Sequence, residues 1–118
     1  PPMNFFQGEF SKDGKSFQAE KIKNKIPVDT KSKYTGNGTL GVRPEDILLG
    51  KEKSKIVFDL TVSSVEPLGS YTIINTSLSD QIVKIRAPGQ ISLEVGSIQQ
   101  VSIDPRVIHL FDANETRC

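Results

Sequence analysis

Residues Gly41 to Gly50 read GVRPEDILLG, an aliphatic and glycine-rich run broken by Arg43-Pro44-Glu45-Asp46. No β-strand accommodates those four residues in a row. Thr39 to Val42 reads as strand, and the proline that follows biases Arg43 to an extended backbone. Pro44 suits the first position of a helical turn, where its fixed φ fits and its missing N–H would have no partner anyway. Glu45 and Asp46 then occupy that first turn, where exposed N–H groups favour acidic side chains. Ile47 and Leu48 are expected to tuck back beneath it, and Gly50 to end it. The plain reading is a strand running into one helical turn that closes a barrel end. The competing one gives Arg43 or the two carboxylates a direct ligand or partner role.

Outward from this corner the chain reads as β nearly throughout. Helical periodicity is never sustained for three turns, whereas short runs rich in Val, Ile, Thr and Phe recur between turn signals. The pattern predicts strands over Asn4–Ser11, Ser16–Lys23, Thr39–Arg43, Lys55–Glu66, Ser70–Thr76, Gln81–Ala87, Ile98–Ile103 and Val107–Phe111. The fourth is the clearest, with Ile56, Phe58, Leu60 and Val62 on one face and Asp59 and Thr61 on the other. Asp13-Gly14 predicts a type I′ hairpin, Asn37-Gly38 a second one, and Pro67-Leu68-Gly69 and Pro88-Gly89 proline turns. Short strands, glycine turns and no helix long enough for a βαβ crossover predict an all-β fold: small OB-like barrels of antiparallel strands with short helical turns.

Composition narrows the function. The chain has 118 residues, 36% hydrophobic and 25% charged, enough for one soluble domain with a single core. A net charge of +1 leaves no strong field for nucleic acid or anionic lipid. The lysines from Lys12 to Lys33 alternate with Asp13, Glu20 and Asp29 and read as a solvated strand face. One cysteine, Cys118, and one histidine, His109, leave no disulfide framework or Cys/His metal site to build. The role of Cys118 stays open. The sequons at Asn37, Asn75 and Asn114 read as chance matches. His109 reads as structural, on the face of Val107 and Phe111, because no serine or carboxylate can be named as its partner. Asp112 is placed to cap the tail, and Phe5, Phe6 and Phe10 to fill the core or a dimer face. Pro1-Pro2-Met3 reads as a linker cut from a longer polypeptide.

Four ordered motifs carry a resemblance over the whole chain. GTLGVRPEDI resembles the G-[IV]-R-P-E-[DH] signature in the C-terminal regulatory domain of maltose-type ABC importer ATP-binding subunits. Pro1 to Phe5, VSSVEPLGSYT (Val62 to Thr72) and RVIHLFDANETR (Arg106 to Arg117) resemble that family's other landmarks. The signature and possible interface residues are Gly41, Arg43, Pro44, Glu45, Asp46, Glu66, Gly69, His109 and Phe111. Tyr71 stands where the family usually has Glu, and Asn114-Glu115-Thr116 replaces a Thr-Gly turn.

The resemblance implies that residues 1–118 are one TOBE domain, a regulatory OB-like region whose nucleotide-binding domain is absent. It implies a homodimer in the full-length protein, membrane subunits reached through the parent, and a signalling protein as a further partner. It places the protein in the cytoplasm, at the inner face of the membrane. ATP and Mg belong to the absent domain: neither a G-x-x-x-x-G-K-[ST] loop nor an LSGGQ signature occurs here, so no cofactor or catalysis is expected in this chain. The alternative is an independent OB-fold module for nucleic acid or a small oxyanion. Few aromatics and near-neutral charge argue against the nucleic-acid version.

Overall fold

The computed structural model describes residues 2–30, 34–52 and 56–118. Pro1, Lys31, Lys33 and Lys55 lie outside them, and so does the predicted start of the fourth strand. The first sheet has the order β10-β4-β1-β2-β3. It comprises β1 (Asn4–Phe10), β2 (Ser16–Ala19), β3 (Ile26–Pro27), β4 (Gly36–Val42) and β10 (His109–Asp112). The second has the order β5-β9-β6-β7-β8. Its strands are β5 (Ile47–Leu49), β6 (Ile56–Pro67), β7 (Tyr71–Leu78), β8 (Gln81–Pro88) and β9 (Ile98–Ile103). Every pairing is antiparallel. Among the described residues the helical content is two 3-10 turns, Pro44–Asp46 and Pro105–Val107. The fold is all-β and OB-like, as the turn spacing and strand lengths require.

Alternation builds the core. In β6, Ile56, Leu60 and Val62 are buried while Asp59 and Thr61 face solvent. Phe6 and Leu40 of the first sheet and Leu60, Ile85 and Val101 of the second belong to one apolar cluster. Phe58 meets Phe6 edge-to-face across the sheets, with ring centroids 6.1 Å apart. The cluster therefore makes the two sheets one cooperative unit.

A polar clamp adds to it. Asn4, at the head of β1 and 8% exposed, donates Nδ2–H to the carbonyl of Lys84 and accepts from the Lys84 N–H, both at 2.8 Å. A primary amide presents a donor and an acceptor side by side, as a neighbouring strand would. Asn4 thus satisfies the free edge of β8 at Lys84. Gln81 donates its amide to the Phe5 carbonyl beside it.

GVRPEDILLG crosses between the sheets. Arg43 is extended at φ −73° and ψ 149°, and Pro44 opens a 3-10 turn that ends at Asp46. The expected helical turn is shorter than predicted. Ile47–Leu49 does not tuck beneath it but forms β5, paired with β9, and Gly50 turns the chain at φ +97°. A three-residue turn has no macrodipole to speak of, so Glu45 and Asp46 gain little from it. The stretch carries the chain from β4 in one sheet to β5 in the other.

Several expectations are corrected. Asp13 lacks the positive φ that a type I′ turn demands; only Gly14 is left-handed, at φ +72°. A longer loop results, in which Asp13 Oδ1 accepts from Ser11 Oγ and Lys15 N. Asn37-Gly38 is no turn either, but lies inside β4. The second strand stops at Ala19, where the Gln18 amide bonds the carbonyls of Ala19 and Ile22 and bends the chain. Lys12, Lys15, Lys21, Lys23 and Lys25 therefore sit in loops rather than on a strand face, and Lys21 reaches Asp80 at 2.7 Å. The eighth predicted strand starts late because Asp104, accepting from the Arg106 N–H, opens the 3-10 turn at Pro105. Val107 accordingly does not share a strand face with His109.

Candidate functional site

Four signature residues converge on the outer face of the first sheet. Gly41 lies opposite Phe5 on one side and His109 on the other in the strand registers. A Cβ at Gly41 would stand 3.0 Å from Met3 Sδ and 3.3 Å from the rings of Phe5 and Phe111. The glycine is thus the bare floor on which three apolar side chains meet. Phe5 and Phe111 pack edge-to-face at 6.2 Å, and Phe5 stays 47% exposed. Gln7, Thr39 and Glu115 complete a shallow hollow of about 270 Å³ around the two rings.

Arg43 leaves the end of β4 and brings Nη1 to 3.2 Å from His109 Nε2. A guanidinium only donates, so Nε2 accepts and the imidazole proton rests on Nδ1, which is buried and has no hydrogen-bond partner among the described residues. The His109 pKa is lowered from its ordinary 6.5 by burial first, then by the cations of Arg117 and Arg43, with Asp46 opposing. Geometry and charge agree that this histidine is neutral. The folded chain therefore resists its protonation, while the unfolded chain takes up the proton from about pH 6.5 downward. Stability is expected to fall as pH drops below that point and through the lower folded pKa. Urea midpoints between pH 8 and pH 5 should show a slope that His109→Gln flattens. In Arg43→Ala the His109 titration followed by NMR should move up toward 6.5; an unmoved titration would show that Arg43 does not reach the ring electrostatically.

Asp46, at the end of the 3-10 turn, is near enough to His109 to act on its charge, and the other signature residues are elsewhere. Glu45 is exposed on the 3-10 turn and Pro44 is buried in it. Glu66 and Gly69 belong to the hairpin between β6 and β7. Gly69, at φ +90°, takes the first central position of a two-residue turn closed by Leu68 N–H to Tyr71 O. Tyr71, in place of the expected Glu, offers its ring face to Arg86 at 4.1 Å. That geometry is a cation–π contact.

Asp112 caps the tail as expected, its Oδ1 accepting from the N–H groups of Asn114 and Thr116 at 2.9 Å each. Glu115 is left-handed at φ +63°. Glu115→Gly should remove that strain and raise stability by about 1 kcal/mol, read from denaturant midpoints. An unchanged midpoint would show that the loop bears no strain. The sequence marks Gly38 only as half of an Asn-Gly turn and Asn4 only as the start of a strand, and the close approach at the one and the edge clamp at the other are not visible in the local pattern.

A family model for the TOBE domain matches residues 40–111, and a model for the MalK OB fold domain matches residues 1–47. The chain belongs to the TOBE domain family. The two models overlap at residues 40–47, which take in most of the crossing from the first sheet to the second. This TOBE chain is similar to the sn-glycerol-3-phosphate import ATP-binding protein UgpC of Psychromonas ingrahamii, 30% identical over 99% of the chain and 32% of the relative. The xylose/arabinose import ATP-binding protein XacK of Haloferax volcanii is 33% identical over 95% of the chain and 30% of its own length. The maltose/maltodextrin import ATP-binding protein MalK of Photorhabdus laumondii is 31% identical over 79% of the chain and 26% of its length. The TOBE chain thus spans a third or less of the length of these relatives. The cytoplasmic molybdate-binding protein ModG shares the fold with a TM-score of 0.70, covering 91% of this chain and 94% of that one at 14% identity. Among the described residues no helix is long and apolar enough to cross a membrane.

Proposed function

We propose that this chain is the non-catalytic regulatory and dimerisation domain of the ATP-binding subunit of an ABC importer for sugars or related solutes. The TOBE match over residues 40–111, joined to relatives that are import ATP-binding proteins, carries the reading. On it, the nucleotide-binding domain of the same polypeptide holds ATP and Mg. The membrane subunits are reached through that domain, and the whole works at the inner face of the cell membrane. A signalling protein is a further partner. The exposed Phe5, backed by Phe111 on the glycine floor, supports self-association, since an aromatic anchor amid polar residues is the usual core of such a contact.

The test uses the parent subunit without nucleotide. Phe5→Lys should weaken its self-association about tenfold or more in sedimentation, the effect of losing one central aromatic. Unchanged association would remove this face from the dimer. The 118-residue chain should show no micromolar ATP affinity by calorimetry, and tight binding would overturn the non-catalytic reading.

A further inference from the structure

The first sheet leaves a seam between its two ends. A cleft of about 550 Å³ runs between Pro27–Asp29 beside β3 and Arg106, Ile108, Leu110 and Arg117 beside β10. Asp112 N–H donates to Thr116 O and Cys118 N–H to Leu110 O, both 2.8 Å, around the Phe111–Arg117 bridge. That pattern makes Phe111 and Arg117 a non-hydrogen-bonded pair, so the N–H and C=O of Arg117 point away from β10. On the opposite wall Val28 N–H donates to Lys15 O at 3.0 Å, which makes Ser16 and Pro27 the equivalent pair. The Pro27 carbonyl therefore points away from β2. Among the described residues none of these three backbone groups has a hydrogen-bond partner.

We propose that the seam binds an extended peptide strand carrying an acidic side chain. Unpaired main-chain donors and acceptors at a sheet edge specify an extended main chain, because only that conformation returns both at matching spacing. A strand residue fills roughly 160 Å³ at about 3.4 Å rise, 4.8 Å strand separation and 10 Å layer spacing, so the cleft takes about three. Ile108, Leu110 and Val28 offer apolar contact for one set of alternating side chains. Arg106 is already engaged by Asp104 at 2.7 Å, whereas the guanidinium of Arg117 has no carboxylate partner among the described residues. The acidic side chain is thus directed to Arg117. Asp29 on the far wall repels a second one, which sets the direction of the strand. This surface is distinct from the Phe5 face and does not depend on dimerisation.

The probes are the blocked pentapeptide acetyl-Val-Glu-Val-Thr-Val-amide and its lysine counterpart acetyl-Val-Lys-Val-Thr-Val-amide, titrated into the isotope-labelled 118-residue chain. The glutamate peptide should bind with a dissociation constant of about 1 mM or tighter. It should shift the amide signals of Val28, Arg117 and Cys118 and slow exchange of the Arg117 amide. Arg117→Glu, an exposed change that leaves the fold in place, should weaken binding about tenfold or more, and Arg117→Lys should restore part of it. Absent binding, equal affinity for the lysine peptide, or shifts confined to the Phe5 face would each overturn the proposal.

Discussion

Asn4→Ala is expected to cost about 2–4 kcal/mol, because it strands the N–H and the C=O of Lys84 together at the edge of β8. Each group loses a 2.8 Å hydrogen bond in a part-buried setting, beneath an Asn4 that is itself buried. Asn4→Asp separates the hydrogen-bonding role from simple volume. Its carboxylate can still accept from the Lys84 N–H but turns a second acceptor toward the Lys84 carbonyl, so it should also destabilise despite nearly identical size. Urea denaturation gives the free energies, and hydrogen exchange at Lys84 should speed up in both variants. A change below about 0.5 kcal/mol in Asn4→Ala would mean that water replaces the clamp at no cost.

The second large effect is at Gly38. A Cβ there would lie 2.3 Å from the Phe10 ring and 2.7 Å from the Phe111 carbonyl oxygen. Phe10 is 2% exposed, and the carbonyl belongs to the strand paired with β4, so neither can give way cheaply. Gly38→Ala should therefore cost about 3 kcal/mol or more, at or beyond the usual range for overpacking. Gly41→Ala is the control. Its nearest neighbour is the flexible Met3 thioether at 3.0 Å, and a loss under about 1 kcal/mol is expected. Equal losses at the two glycines would show that backbone freedom, not close approach, explains both.

The Asn37-Gly38 pair also shows where reading along the chain fails. Both residues suit a turn, but Gly38 takes an ordinary strand φ and serves to admit the Phe10 ring. That need comes from β1 and β10, which lie far away in sequence and adjacent in space. The same reason hides Asn4, whose partner is 80 residues away. β3 and β5, two and three residues long, are too short to show a period. They exist because β2 and β9 offer free edges to them.

What the sequence by itself determined was local chemistry and its repetition. Period-two burial in β6, the extended Arg43 before Pro44, the left-handed Gly89 at φ +76° and the capping Asp112 all follow from side-chain alternation or from backbone constraints within a few residues. The motif order likewise marked the TOBE family. Only the tertiary structure decided which faces met. It placed Arg43 against His109, Phe111 over Gly41 and the Asn4 amide on the edge of β8. Each of these contacts joins strands far apart in the chain, and its energy depends on register and approach distance, which no run of neighbouring residues encodes.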